Sequence, residues 1–319
     1  MRAAIRFYDA LGAESDALGE LLAGLAERPR AIAPKFFYDA RGSELFEAIC
    51  RLPEYYPTRT ETAILRTCAP EIARRAPRRA VLVELGSGAS EKVRLLLDAL
   101  RPQAYLGIDI SRDFLRAATG RLAHDYPWLA VHAACADFSQ PLALRYPPPD
   151  VPRLLFFPGS SIGNFTPEES VALLERLRPL VGPGGGFVLG VDLQKDPRVI
   201  HAAYNDAHGV TAAFNRNVLY RLRREFGAKV DPEGFVHEAI YNEALGRVEM
   251  YLVSRGEQEI RLGDRTFVFA PGERLHTEYS YKYSIEGFQA LARTAGYRAE
   301  AVWTDARSYF SVHYLSLPA

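Results

Sequence analysis

Sulfur and net charge are scarce in this sequence, and no long apolar run interrupts it. Three cysteines, Cys50, Cys68 and Cys135, stand far apart in 319 residues. An odd, unclustered set builds no disulfide framework and offers no CxxC metal site, so buried thiols in a reducing compartment are expected. The seven histidines show no HxH or HxxxH spacing, and no metal is expected. Basic and acidic residues cancel at 39 each, leaving no electrostatic case for nucleic acid or an anionic membrane as partner. No stretch reaches the roughly 18 apolar residues of a membrane span. The opening MRAAIRFYDALGAESDAL lacks the apolar core that a secretory signal carries behind its charges. A cytoplasmic protein is therefore expected. Oligomeric state leaves no mark on the sequence, and a monomer is the default expectation.

What is present is an ordinary globular composition, 48% hydrophobic and 24% charged, long enough for one large domain or two moderate ones. Residues 11–28 carry Leu and Ala at helical spacing, and helices are expected near 43–51 and 59–67. From residue 80 short apolar strands alternate with amphipathic helices. Strands are expected at 80–85, 104–110, 129–137, 152–159 and 186–193, with helices at 90–100, 112–126 and 166–181. Thr166 and Glu169 fit a capping box at the start of the last helix. This α/β alternation implies a mostly parallel sheet covered on both faces. Residues 194–245 then read as largely helical, followed by antiparallel strands with Gly-containing turns. The tail returns to a helix (285–296) and two strands. The pattern suggests a discontinuous cofactor domain, 61–194 with 285–319, and a substrate-binding α+β domain from 1–60 with 195–284.

The first strand ends in VELGSGASEK. Gly86, Ser87 and Gly88 form a turn bare enough for a ligand to approach the backbone at the carboxyl end of a sheet. A glycine pair alone is a weak signal, and a plain strand-to-helix turn reads the same way. The dinucleotide fingerprint needs a third glycine, and Glu91 stands there instead. Glu84 before the turn suits a cationic, amino-bearing ligand better than a pyrophosphate. Both features favour S-adenosylmethionine over a nicotinamide cofactor. Asp109, ending the second strand, can accept from both ribose hydroxyls, and Asp137 with Phe138 after the third suits an adenine. Each Asp alone could be a turn residue; three such loops on successive strands strengthen the reading.

PKFFYD, LPEYYPTR, VELGSGASEK, GSSIGNFTPEE, GVTAAFNRNVL and HTEYSYKY, in that order, resemble the histidine Nα-methyltransferases of ergothioneine biosynthesis. The resemblance runs from about residue 30 to the C-terminus. It implies a Rossmann-like class I methyltransferase sheet, mostly parallel with an antiparallel last strand, and S-adenosylmethionine-dependent trimethylation of L-histidine to hercynine. It also implies that Gly86, Lys92, Asp109, Asp137 and Phe138 contact the cofactor. Tyr55, Asn164 and Tyr204 are implied to hold the amino acid, with Asn164 and Tyr204 at the reacting amine. Glu278 and Ser280 are implied to read the imidazole, and Tyr38, Gly159 and Met250 are further pocket positions. Two residues apart on a strand, Glu278 and Ser280 would share a face, with Tyr279 directed away. The chain departs from the familiar pattern at Tyr279 and at Ala89 in the cofactor turn. The rivals are a relative of the same fold acting on a tryptophan-derived amine and a cofactor-binding module without catalysis.

Overall fold

The computed structural model describes residues 5–10 and 16–318. It divides into two compact units. The first takes the described residues within Met1–Gly12, Pro57–Gln194 and Tyr281–Ala319; the second takes those within Ala13–Tyr56 and Lys195–Ser280.

The first unit is built on an eight-stranded sheet. Its strands are β1 (Arg6–Asp9), β2 (Val81–Leu85), β3 (Ala104–Asp109), β4 (Ala130–Cys135), β5 (Arg153–Phe157), β6 (Gly186–Asp192), β12 (Arg298–Thr304) and β13 (Phe310–Ser316). Their spatial order is β1-β4-β3-β2-β5-β6-β13-β12. Pairing is parallel from β1 through β6, and β13 runs antiparallel to both its neighbours. β2 and β5 are buried at every residue, as a sheet covered on both faces requires. The helices of this unit are α3 (Tyr56–Arg75), α4 (Lys92–Leu100), α5 (Arg112–Asp125), α6 (Pro167–Val181) and α9 (Ile285–Thr294). Leu82, Leu154, Phe156 and Val188 of the sheet form a core with Ile64, Leu65, Ile72, Val93, Leu96 and Leu97 of the helices. α6 begins with the expected capping box: Thr166 accepts from the Glu169 N–H, and Glu169 reaches back to the Thr166 N–H.

The second unit contains α1 (Ala17–Ala26), α2 (Ala40–Arg51), α7 (Pro197–Tyr204) and α8 (Val210–Phe226). Its strands are β7 (Phe235–Asn242), β8 (Arg247–Ser254), β9 (Gln258–Leu262), β10 (Arg265–Phe269) and β11 (Arg274–Tyr281). They form a three-stranded sheet, β11-β8-β7, and a β9–β10 hairpin. Buried Asp39 caps α2 by accepting the Gly42 N–H at 2.6 Å, accepts from Asn217 Nδ2 at 2.8 Å, and pairs with Arg224 on α8.

The structure redraws several expectations. Arg6–Asp9, expected within the substrate-domain segment 1–60, pairs with β4 instead, and the Tyr8 hydroxyl meets His132 Nδ1 at 3.0 Å. Residues 57–60 also fall in the first unit, as do 281–284, where the Tyr283 N–H donates to the Asp192 carbonyl. Within 194–245 the α-helices end at Phe226, and a short 3-10 turn at Pro232–Gly234 leads into β7. Of the helical stretch expected over 11–28, residues 11–15 lie outside the described residues.

Candidate active site

In the first unit, the residues expected to contact the cofactor gather at the carboxyl ends of β2, β3 and β4. Gly86 and Gly88 have φ of +63° and +48°, the left-handed region where a side chain brings strain. The Gly88 N–H donates to Asp109 Oδ2 and the Ser111 N–H to Asp109 Oδ1, each at 2.9 Å. Burial raises the Asp109 carboxyl above its ordinary range, while these N–H bonds pull the other way. Asp137 Oδ1 accepts the Ser139 N–H at 2.9 Å, and Phe138 stands edge-on to Phe157 with ring centres 5.2 Å apart. A side chain added at Gly86 would meet the Phe138 ring at 3.6 Å, so the aromatic borders the turn. A glycine turn, two strand-end carboxylates and an aromatic edge fit a phosphate-free adenosyl ligand. Glu84 points elsewhere: it is buried and accepts from the Tyr105 hydroxyl at 2.6 Å. Burial pushes its carboxyl up to about 8, against the opposing pull of Tyr105 and Lys92.

β5 is followed by Gly159 (φ +80°) and Ser160, a non-glycine residue in the left-handed region. Ser160 is held there because its hydroxyl accepts the Asp192 N–H at 2.9 Å. A 3-10 turn, Ser161–Asn164, then delivers Asn164. Its Gly163 admits the Tyr281 backbone so closely that a Cβ would lie 2.7 Å from the Tyr281 carbonyl oxygen. Sequence reading missed the residue that braces this region. Glu61 of α3 is fully buried, pairs with Lys92 at 2.5 Å, and accepts the Gly159 N–H at 2.9 and 3.1 Å. No local motif marks it, because its partners are far away in sequence.

In the second unit, Tyr204 ends α7 and donates its hydroxyl to Ser280 Oγ at 2.7 Å. Ser280 and Glu278 lie on β11 and are 5% and 8% exposed. Tyr55 stands edge-on to Tyr204 at 6.4 Å and to Phe46 at 6.3 Å, and Tyr38 meets Phe46 and Phe214, each at 5.8 Å. The Tyr55 phenol is held well above its usual value, by burial first and then by Tyr204, Cys50, Tyr38 and Glu278. It stays protonated at neutral pH and is a donor, not a base. Tyr279 is occupied with other residues, its ring 3.9 Å from that of His276 and 3.9 Å beneath the Arg247 guanidinium. Met250 is buried on β8 opposite Ala239, and its carbonyl accepts from Thr277 Oγ1 at 3.1 Å. The sequence assigned Tyr204 and Ser280 to opposite ends of the amino acid; the structure joins them by a hydrogen bond.

Among the described residues no group of three or more His, Cys, Asp or Glu side chains is arranged to hold a metal ion. No described helix is long and apolar enough to cross a membrane.

Comparison with known proteins gives a concordant result. Residues 17–317 match the family described as histidine-specific methyltransferase, SAM-dependent. The histidine N-alpha-methyltransferase of Mycolicibacterium smegmatis is 43% identical over 299 residues, 92% of each chain. Its Mycobacterium tuberculosis counterpart is 42% identical over 303 residues, again 92% of each. Ergothioneine biosynthesis protein 1 of Neurospora crassa is 31% identical over 297 residues, which are 90% of this chain and 33% of that protein.

Proposed function

The chain belongs to the S-adenosylmethionine-dependent, histidine-specific methyltransferases, and from that premise we propose that it trimethylates the α-amine of L-histidine to hercynine, a step toward ergothioneine. When bound, S-adenosylmethionine supplies a methyl group activated on its sulfonium. Gly86, Ser87, Gly88, Lys92, Asp109, Asp137 and Phe138 of the first unit are the residues proposed to hold it.

The observation that carries the choice of histidine is the Tyr204–Ser280 hydrogen bond beside buried Glu278. A serine hydroxyl has one hydrogen and two lone pairs. Tyr204 donates into one lone pair of Ser280, and we propose that this orients the Ser280 hydroxyl toward one ring nitrogen while Glu278 accepts from the other. A neutral imidazole offers one acceptor and one N–H, so it answers both groups at once. A ligand without both nitrogens would leave buried polar groups unmatched, which disfavours it strongly. Tyr38 and Met250 are proposed to border the amino-acid pocket.

Methyl transfer to an amine is an in-line displacement that needs a free lone pair about 3 Å from the methyl carbon. The ammonium must therefore lose a proton before each transfer. A carboxylate against the amine would raise its pKa and blunt the nucleophile. The residues proposed for the amino-acid backbone, Tyr55, Tyr204 and Asn164, with Gly159 close by in sequence, bring no formal negative charge. The protonated state of Tyr55 supports that reading. The balanced charge of the chain gives no electrostatic case for nucleic acid and supports a small-molecule partner.

The test is mass spectrometry of the purified protein with S-adenosylmethionine and L-histidine, and with tryptophan in a parallel reaction. Trimethylhistidine is the expected product. Methylation of tryptophan instead would keep the fold and cofactor and remove the Glu278–Ser280 assignment.

A further inference from the structure

We propose that Glu61 is a positioning residue for the methyl donor, acting through Lys92. Three elements of the first unit converge on its carboxylate. Lys92 Nζ donates to Oε2 at 2.5 Å, and the Gly159 N–H is shared between both oxygens at 3.1 and 2.9 Å. From β6, Gly190 makes room: a Cβ there would lie 2.0 Å from Oε1. Glu61 is 0% exposed, so its charge is compensated by these partners and not by water.

The position of Lys92 explains why a brace is needed. It is the first residue of α4, a helix with no acidic residue in its first turn. A helix N-terminus carries partial positive charge, so a lysine there is repelled by its own helix. The N-cap residue, Glu91, is 70% exposed, so Glu61 supplies the buried negative charge from α3 and fixes the ammonium next to Gly159, where an added Cβ would lie 3.6 Å from Nζ. Without it the flexible four-carbon stem would swing to solvent. The same carboxylate fixes the Gly159 amide, so one side chain ties the turn after β2 to the turn after β5.

The inference rests on the reading of Lys92 as a donor contact, and the experiment separates the two. Glu61→Gln removes the charge but keeps an oxygen for the Gly159 N–H. Calorimetry with S-adenosylhomocysteine, on protein whose melting is followed in parallel, should show Kd raised roughly tenfold, the loss of one charge-assisted hydrogen bond. In steady state KM for the donor should rise while kcat and KM for histidine stay within about twofold, because the Gly159 bond survives. Lys92→Met should weaken S-adenosylhomocysteine at least as much, and the double variant Glu61→Gln/Lys92→Met should bind no worse than Lys92→Met alone. A folded Glu61→Gln with unchanged Kd, beside a weakened Lys92→Met, would overturn the role of Glu61 and leave Lys92 standing. Unchanged binding in Lys92→Met would remove the donor contact itself. Should Glu61→Gln not fold, the double variant against Lys92→Met decides alone: equal affinities support the coupling, and a further loss of threefold or more (about twice the usual additivity error) refutes it.

Discussion

Replacing Ser280 by Ala tests the histidine assignment most directly. The change removes one oxygen, and with it the acceptor that Tyr204 reaches at 2.7 Å and the donor proposed for the imidazole. A neutral hydrogen bond contributes about 0.5–1.5 kcal/mol net to stability. In a chain of this size Tm should therefore fall by only about 1–2 °C. The effect on turnover should be larger. Losing a buried hydrogen bond to the substrate costs about 1–3 kcal/mol, so kcat/KM for histidine should drop about 5- to 150-fold. Tyr204→Phe removes the bond that orients Ser280 together with the hydroxyl proposed for the amino-acid backbone, so it should cost at least as much. If part of that cost is the orienting of Ser280, the double variant should lose less than the sum of the two single losses by more than about 0.5 kcal/mol. The assay is kcat/KM for histidine at saturating donor, read by mass spectrometry. Losses that simply add on a logarithmic scale, or a Ser280→Ala enzyme with native kcat/KM, would refute the reasoning.

Three further outcomes are expected. Replacing Glu278 and Ser280 together by Leu and Val should lower histidine turnover by more than about a hundredfold and shift competition assays toward tryptophan; undiminished histidine turnover would place imidazole recognition elsewhere. Glu84 is raised from 4.5 to about 8 by burial, so the folded protein holds its proton more tightly than the unfolded chain. Its contribution is complete below about pH 4.5 and lost as pH climbs through 8, a swing of a few kcal/mol. Glu84→Gln should therefore gain Tm over the parent at pH 8 and lose that advantage near pH 4.5, whereas parallel melting curves would contradict the assignment. Lys282 and Asp192 form an ion pair at 2.9 Å, each 1% exposed. Lys282→Met should destabilise by about 3–5 kcal/mol, with much of the loss recovered on adding Asp192→Asn; a Tm shift under about 2 °C in the single variant would show the pair to be dispensable.

The central sheet was legible because buried parallel strands are continuous apolar runs and cannot be mistaken for surface segments. VLVEL, RLLFF and GFVLGVD each stood out between helical stretches, and the Thr166–Glu169 box announced α6. The glycine turn stood out because Gly86, Ser87 and Gly88 are consecutive, whereas the TEYS segment on β11 was singled out by its resemblance to a known family and by no local chemical signal of its own. β1 was missed because four residues, RFYD, with exposed ends carry no periodicity, and only pairing with β4 makes them a strand. Glu61 was missed because a glutamate within YPTRTETAIL reads as one more polar helix position. Its role exists only through Lys92 and Gly159, brought to it by the fold. The Tyr204–Ser280 bond belongs to the same class, since residues 76 apart in sequence announce no partnership.

The place of β13 bears on how the protein is made. This strand lies between β6 and β12, and Phe310 pairs with Asp192 across the whole intervening insertion. While the chain emerges from the ribosome, β6 therefore waits with one row of backbone donors and acceptors open until the final strands arrive. An uncovered edge of that kind can be captured by another nascent chain. Closing a pairing so distant in sequence is also entropically slow. Production of this enzyme should thus be limited by the yield of late sheet closure. Slower, cooler synthesis would improve recovery of soluble protein, and frameshifts after residue 309 would be as damaging as lesions in the site itself.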